Sequence, residues 1–300
     1  MQSMAGLHPT AWPVGIPHKS LRAFSDAVAT LGGGPLVTPR SLWLYRGQSR
    51  ASWHLTPSIE RKRYSNTVRE SESQMIADFR AHAPLGCKDV PGFDDRASWL
   101  SLMRHHGVPT RLLDWTYSPM VALFFAFEDR DPDMEKDAAV WAVNATLIRK
   151  EVEGLAPKII TDFHAPLDLS SATHFDAMAF YAFDGLDASD ALDARHRREL
   201  GLVAHLLPRK PNTRLAAQQG SFLISCNHCL PFQDSLKNMM RGISEEKWIR
   251  KWVFPYSLRI QILEQLYRSN IHPLSLFPDL DGLGRLVALK GEVYPSGTFE

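Results

Sequence analysis

The sequence has few cysteines, no long apolar run and no excess of charge of one sign. Its 300 residues include three cysteines, Cys87, Cys226 and Cys229, which are too few for a disulfide framework and suit a reducing compartment. No apolar stretch reaches the roughly 20 residues that cross a membrane, and residues 1–18 lack the charged-then-apolar pattern of a secretory signal. We therefore expect a soluble, cytoplasmic protein without a membrane partner.

The charges almost cancel, because the chain has 34 Lys and Arg residues and 33 Asp and Glu residues, which gives a net charge of +1. Such a chain has no global field for nucleic acid, which disfavours that partner but leaves open a local basic patch. A hydrophobic content of 44% with 22% charged residues is typical of a globular protein and excludes a disordered or fibrous class. Cys226 and Cys229 have no second pair at metal-ligand spacing, so we expect no metal.

Apolar periodicity and turn residues divide the chain into elements, and we detect no internal repeat. The predicted helices are 21–31, 71–83, 97–105, 121–127, 255–266 and a short last helix ending near Leu289. The predicted strands are 42–48, 138–143 and an apolar run after Gly220; residues 243–253 are helix or strand, and residues 184–198 a helix-bearing surface loop. These signals are interleaved, which favours one main domain over residues 40–288, an N-terminal extension with a short helix over 1–39 and a tail over 289–300.

Chemically capable side chains are densest just before the apolar helix 121–127. They are His105, His106, Thr110, Arg111, Asp114, Trp115, Thr116, Tyr117 and Ser118. Pro119 fits the first turn of the helix, where Ser118 or Thr116 can cap the free N–H groups. Such a helix start favours a phosphate or carboxylate. The alternative is ordinary turn and capping chemistry, with Asp114 forming a local turn or pairing with Arg111.

Two further motifs point to ligand recognition. Arg46 ends a strand beside Gly47, so its planar guanidinium can bind two phosphate oxygens; the alternative is a surface arginine paired with an acid. Gln218 and Gln219 precede Gly220 at the entrance of a strand, where amides can hold a ribose hydroxyl or a carboxamide; the alternative is a solvated loop.

The order of these motifs resembles the FRG domain family of bacterial and phage proteins over about residues 40–288. The resemblance rests on five segments: Tyr45-Arg-Gly-Gln48, Trp53-x-Leu-x-Pro-Ser58, His105-His-Gly-x-Pro-Thr-Arg-Leu-Leu-Asp-Trp-Thr-x-Ser-Pro119 with the Ala122–Ala126 helix, Gln218-Gln-Gly-x-Phe222 and Leu276-Phe-Pro-Asp-Leu-Asp-Gly-Leu283. The resemblance implies a toxin, an effector or a phage-defence component as the biological role of this protein.

A second resemblance, to ADP-ribosyltransferases of the Arg, Ser-Thr-Ser, Glu class, bears on mechanism. Arg46 resembles the arginine of the first motif, Thr116 and Ser118 the hydroxyls of the second, and Gln219 stands where the third motif has glutamate. The resemblance implies an α+β fold with a split two-sheet core and flanking helices. Because glutamine lacks the charge of glutamate, another acid must serve, with Asp114 or Glu264 as candidates, or the chemistry differs, or the fold only binds a nucleotide.

The resemblance implies an NAD-consuming enzyme, a transferase or glycohydrolase with NAD as substrate and an unknown macromolecular acceptor. Arg46 would grip the pyrophosphate, with Gly47 allowing close approach, and Asp114 would stabilise positive charge in the transition state. The other expected roles are hydrogen bonds to the nicotinamide ribose or carboxamide from Thr116 and Ser118, stacking by Tyr117 or Trp115, a ribose contact from Gln219 and base catalysis by His105 or His106, one of the two being structural. The remaining residues expected at the nucleotide are Tyr45, Gln48, Thr110, Arg111 and Gln218.

The alternatives are a hydrolase or nuclease using His105 or His106 with Asp114, and a non-catalytic nucleotide-binding or protein-binding module.

Overall fold

A seven-stranded sheet with eleven helices forms the described part of the protein. The computed structural model describes residues 15–31, 41–62, 67–93, 95–129, 136–163, 201–208, 211–225 and 230–293. The strands are β1 (Ile16–Pro17), β2 (Trp43–Gln48), β3 (Leu112–Thr116), β4 (Ala138–Asn144), β5 (Val203–Leu206), β6 (Gly220–Ser225) and β7 (Ile249–Phe254). The helices are α1 (Leu21–Leu31), α2 (Val68–Gly86), α3 (Arg96–His105), α4 (Pro119–Phe127), α5 (Ala145–Phe163), α6 (Thr213–Ala217), α7 (Phe232–Met239), α8 (Glu245–Trp248), α9 (Arg259–Arg268), α10 (Pro273–Leu276) and α11 (Leu280–Val293).

The strands follow the spatial order β1-β7-β4-β2-β3-β6-β5. The short β1 runs parallel to β7, and every other neighbouring pair is antiparallel. The α+β class predicted from the sequence is therefore confirmed. The predicted split into two sheets is not confirmed, because all seven described strands belong to one continuous hydrogen-bonded sheet.

Helices cover both faces of the sheet, and the alternation of side chains along β4 shows how. Ala138, Val140 and Ala142 join the core on the side of α1, α4 and α9, whereas Trp141 and Val143 join the core beneath α3, α5 and α7. A strand buried on both faces reads as a continuous apolar run, which is why the sequence predicts it. Helix α4 lies between β2 and α9 and is apolar on all sides, as its sequence predicts.

Most predicted elements are confirmed, with shifts at their ends. Helix α1 has the predicted bounds. Helix α2 extends beyond its predicted bounds at both ends, and a Thr67–Glu70 capping box accounts for the earlier start. Residues 243–253 are both helix and strand, since α8 is followed directly by β7. Strands β3 and β5 and helix α5 were not predicted from periodicity. The predictions for residues 184–198 and for Cys226 and Cys229 lie outside the described residues. No helix in the described ranges is long and apolar enough to cross a membrane.

Candidate functional site

A cleft of about 910 Å³ lies where β2 and β3 separate. These two neighbouring strands share a single backbone register pair, Tyr45 with Thr116, whereas β2 pairs with β4 along its whole length. The residues that follow Tyr45 on β2 and precede Thr116 on β3 line the cleft instead of pairing with each other. The sheet is thus continuous at one bridge and open beyond it, and the opening is within the size range of small-molecule sites.

Arg46 spans this opening. Its Nη1 donates to the backbone carbonyl of Asp114 at 2.7 Å and lies 3.7 Å from the carboxylate Oδ2 of the same residue. Its Nε is buried and finds no acceptor among the described residues. Burial lowers the pKa of Arg46 to about 10, partly offset by the charge of Asp114, so the guanidinium stays charged at neutral pH.

Asp114 holds two guanidinium groups at the base of the cleft. Arg104, on α3, donates through Nη2 to Oδ2 of Asp114 at 2.7 Å and through Nε to Oδ1 at 3.3 Å, a bidentate pair. Burial raises the pKa of Asp114, but the charges of Arg104 and Arg46 outweigh that effect and hold it below its ordinary value. Asp114 therefore remains a carboxylate at neutral pH. Arg61 also lines the cleft and forms no hydrogen bond or ion pair with the described residues. Burial lowers the pKa of Arg61, and the residue lies close enough to Asp114 for the charge of that carboxylate to oppose this effect.

A second group of charges surrounds the buried ring of Phe277. The guanidinium carbons of Arg214 and Arg285 lie 4.2 Å and 4.3 Å from the centroid of that ring. Arg285 also pairs with Glu128 at 2.6 Å, and burial raises the pKa of Glu128 against the influence of Arg285. Burial lowers the pKa of Arg214, and the neighbouring charge of Arg285 adds to the effect.

The lining of the cleft is rich in arginine. Its described charged residues are Arg46, Arg61, Arg104, Arg214, Arg285, Asp114, Glu128 and Asp129. Cations therefore outnumber carboxylates there, although the whole chain is close to neutral. This is the local basic patch that the composition left open, and a cleft of this kind concentrates the field on an anionic ligand.

His105 and His106 have different surroundings. His105, at the end of α3, lines the cleft, and its pKa is lowered by burial first and then by the charges of His106 and Arg214. It is therefore neutral at pH 7 and able to accept a proton. His106 is exposed and its ring packs 6.3 Å from that of Phe79, away from the cleft lining.

Two tryptophans also line the cleft. Trp53 is 46% exposed at the cleft, with the guanidinium of Arg50 lying over its ring at 5.8 Å from the centroid, and an exposed indole of this kind can stack on a planar ligand. Trp115 is buried, and its indole N–H finds no acceptor among the described residues. A buried donor without an acceptor is costly, so a ligand or water that accepts from Trp115 is favoured.

The structure brings nine of the predicted site residues together in this cleft. They are Tyr45, Arg46, Gly47, Gln48, His105, Asp114, Trp115, Thr116 and Gln218. The others, which do not contribute to its lining, are His106, Thr110, Arg111, Tyr117, Ser118 and Gln219.

Of the three residues predicted to converge, Arg46 lines the cleft, whereas Ser118 and Gln219 do not. The hydroxyl of Ser118 caps α4 by accepting from the N–H of Val121 at 3.3 Å. Gln219 adopts a positive φ of 48°, forms the turn before β6 and exposes its side chain. Its neighbour Gln218 lines the cleft instead, with Nε2 donating to the carbonyl of Leu276 at 3.1 Å.

Other predicted contacts hold the fold together. Arg111 is 3% exposed and pairs with the buried Glu72 at 2.6 Å, not with Asp114. Thr110 is buried, with its backbone bonded to the hydroxyl of Ser58. Tyr117 packs against His205 with the ring centroids 6.2 Å apart.

Gly47, Gln48 and Thr116 line the cleft but have partners within the protein. A Cβ on Gly47 would overlap the backbone of Ala122 and Ala126 in α4, so the glycine permits close approach of a helix where the sequence predicted a ligand. The amide of Gln48 accepts from the indole of Trp141 at 2.7 Å and donates to the carbonyl of His54 at 3.1 Å. The hydroxyl of Thr116 donates to the carbonyl of Gln218 at 2.7 Å, tying β3 to the turn before β6.

Of the two predicted substitutes for the missing glutamate, Asp114 lines the cleft and Glu264 does not. Glu264 lies on α9 and pairs with the exposed Arg268 at 2.5 Å. Sequence reasoning missed Glu128, as well as the arginines outside the central motifs. The sequence contained only a weak indication of Arg214 and Phe277. Arg214 lies near and Phe277 within a segment that resembles the FRG family, but no sequence pattern predicts that their side chains contact each other.

The fold and the lining define an α+β protein with an arginine-rich cleft. No group of three or more His, Cys, Asp or Glu side chains suited to a metal ion occurs among the described residues. The FRG domain family model matches residues 41–135, the first part of the 40–288 segment over which the motifs resemble this family. No curated protein and no solved structure matches the chain. The family match includes β2, β3 and α4, whereas Arg214, Phe277 and Arg285 lie beyond it.

Proposed function

We propose that the cleft binds NAD and that the protein is an ADP-ribosyltransferase-like enzyme acting on an unidentified macromolecular acceptor. The observation that supports this most directly is the arrangement of three distant motifs. Arg46 on β2, Asp114 and Thr116 on β3, and Gln218 just before β6 line one cleft, and these three strands are neighbours in the sheet. The surplus of arginine at the same place suits the pyrophosphate of a dinucleotide.

The lining supplies a partner for each part of NAD. Arg46 and the unpaired Arg61 bind the pyrophosphate, and the exposed ring of Trp53 stacks on the nicotinamide or adenine. The orphaned indole N–H of Trp115 donates to a ribose hydroxyl or to the carboxamide. Tyr117, Ser118 and Gln219 take no part in this assignment because they lie outside the cleft lining.

In the proposed reaction the bond between the ribose C1′ and the nicotinamide nitrogen breaks, and nicotinamide leaves with the bonding electron pair. Positive charge develops at C1′, where the ionised carboxylate of Asp114 stabilises it. A lone pair of the acceptor then bonds to C1′, and the acceptor's proton passes to the neutral imidazole of His105. Asp114 thereby provides the negative charge that Gln219 lacks.

Full-length protein is titrated with NAD by calorimetry, and nicotinamide release is followed with and without cell lysate as a source of acceptor. We expect Arg61→Ala to weaken NAD binding about tenfold, the effect of losing one charged contact of roughly 1.5 kcal/mol. Arg268→Ala, which removes an arginine outside the cleft, is the matched control and leaves binding unchanged. Absence of NAD binding and of nicotinamide release under both conditions contradicts the proposal.

His105 separates the enzymatic proposal from a binding module. His105→Gln keeps the cleft intact and should retain NAD affinity while lowering the rate of transfer about a hundredfold, the typical contribution of a general base. A neutral histidine beside arginines also suits phosphodiester hydrolysis, which is the second candidate. Cleavage of a phosphodiester substrate, with loss in the His105→Gln variant and no consumption of NAD, would favour that alternative.

A further inference from the structure

The platform formed by Arg214, Phe277 and Arg285 is a second cationic feature of the cleft. Phe277 is 1% exposed and its ring packs edge-on against that of Phe125, with centroids 6.1 Å apart. Helix α11 also lies directly on this residue, since a Cβ on Gly282 would overlap the carbonyl oxygen of Phe277. Phe125 therefore holds the ring and α11 holds the backbone of Phe277, so that the ring keeps both guanidinium groups in place.

The charges on this platform are incompletely balanced. Arg285 pairs with Glu128 through Nη1, but the guanidinium of Arg214 forms neither a hydrogen bond nor an ion pair with any described residue. Two like charges held on one ring repel each other. Burial and this repulsion lower the pKa of Arg214, and the charges of Glu128, Asp114 and Asp279 offset only part of the effect. An anion bound between them would relieve the repulsion, and both arginines retain free N–H donors for it.

The platform comes from a different part of the chain than the arginines around Asp114. Arg46, Arg61 and Arg104 precede β3, whereas Arg214 lies on α6 and Arg285 on α11. Both sets nevertheless line the same 910 Å³ cleft, so one ligand can contact both. If the pyrophosphate of a dinucleotide occupies the first set, the second remains available for another phosphate on the same molecule.

We propose that Arg214 and Arg285 bind a phosphomonoester, so that the preferred substrate is a dinucleotide with a third phosphate, NADP, rather than NAD. This inference rests on the proposed function of the cleft. A phosphomonoester carries close to two negative charges at neutral pH and offers three acceptor oxygens, which matches two guanidinium groups. NAD has only hydroxyl groups at the corresponding ribose and leaves the platform unneutralised.

Calorimetric titration of the full-length protein with NAD and with NADP tests the assignment. We expect NADP to bind at least tenfold more tightly than NAD to the unmodified protein. Arg214→Gln should abolish that difference, lowering the affinity for NADP at least tenfold and that for NAD less than threefold. Arg268→Gln is the matched control and should preserve the preference, while thermal unfolding verifies that both variants are folded.

Two results overturn the inference and can be told apart. If NAD binds but NADP binds no more tightly, or if Arg214→Gln weakens both dinucleotides equally, the phosphomonoester site is refuted and the proposed function stands. If neither dinucleotide binds the unmodified protein, the proposed function and the inference fail together.

Discussion

At the scale of single residues, the absence of a Cβ atom at Gly47 allows β2 to pack closely against α4. Gly47 lies opposite the backbone of Ala122 and Ala126 in α4, where no side chain fits. The sequence alone suggested that this glycine admits a ligand, because close approach of any backbone produces the same preference. The glycine instead fixes the distance between the strand that carries Arg46 and the helix that supports it.

Gly47→Ala should lower the free energy of unfolding by about 3 kcal/mol, since the new methyl meets backbone that cannot move aside easily. Gly86→Ala is the control, because that glycine ends α2 with open space around its Cβ position. Urea denaturation of both variants measures the difference. Equal stability of the two would show that α4 can shift away from β2 without cost.

Arg46 also has a role at this scale that does not depend on any ligand. Its bond to the backbone carbonyl of Asp114 connects β2 and β3 where their backbones no longer pair. A side chain thus replaces part of the main-chain ladder. Variants at Arg46 therefore alter the fold and the site together, which is why Arg61 and Arg214 are the better probes of ligand binding.

At the scale of elements, the start of α4 shows how a hydroxyl motif can be structural. Ser118 satisfies the N–H of Val121, and Pro119 occupies the first turn. The sequence pattern of a cap and that of a hydroxyl-bearing site are the same. The structure separates them because Thr116 reaches the cleft and Ser118 does not.

Ser118→Ala should therefore cost about 1 kcal/mol of stability, the usual loss for an N-cap, with NAD affinity and nicotinamide release unchanged. Ser118→Asp keeps an acceptor at the cap and should recover most of the stability. Denaturation and turnover are measured on the same preparations. Loss of turnover in Ser118→Ala at full stability would restore the catalytic role predicted from the sequence.

Helices and strands with strong periodicity were predictable, and the reasons for the failures are specific. Strand β4 is apolar on both faces and α1 has regular apolar spacing, so both were found. Strand β3 was hidden because Asp114 and Thr116 interrupt its apolar residues, and both are polar because they face or border the cleft. The element closest to the chemistry was thus the hardest to recognise.

At the scale of the whole molecule, the candidate site is assembled from distant parts of the chain. His105, Asp114 and Arg46 stand in dense or distinctive motifs and could be singled out from the sequence. Arg214 and Arg285 could not, because their significance depends on stacking against Phe277, a contact that the fold alone creates. Charge counting over the full chain hid the cluster as well, since the net charge is only +1.

One long-range contact predicts how stability depends on pH. Both carboxylate oxygens of Glu60 accept from the N–H of Phe232 at 3.1 Å, at the start of α7. Burial, with a smaller contribution from Asp234, raises the pKa of Glu60 to about 7 despite this bond. The folded state therefore holds the proton more tightly than the unfolded chain, and stability present below pH 4.5 is lost as the pH rises through about 7.

Glu60→Gln retains an acceptor for Phe232 and removes the titration. We expect this variant to exceed the unmodified protein by about 2 kcal/mol in unfolding free energy at pH 8 and to match it near pH 4.5. Denaturation across this pH range makes the comparison, with Glu264→Gln on the surface of α9 as the control. A constant difference between Glu60→Gln and the unmodified protein at every pH would contradict the prediction.

The position of the family match within the sheet has a practical consequence for work on fragments. A piece limited to residues 41–135 would keep β2 and β3 but lose β4 and β6, the strands that flank them. Each would then present an open edge, and exposed edges of this kind recruit other chains into aggregates. Truncation to the recognised segment should consequently give insoluble material, so binding assays and crystallisation require the chain to extend at least to Arg285.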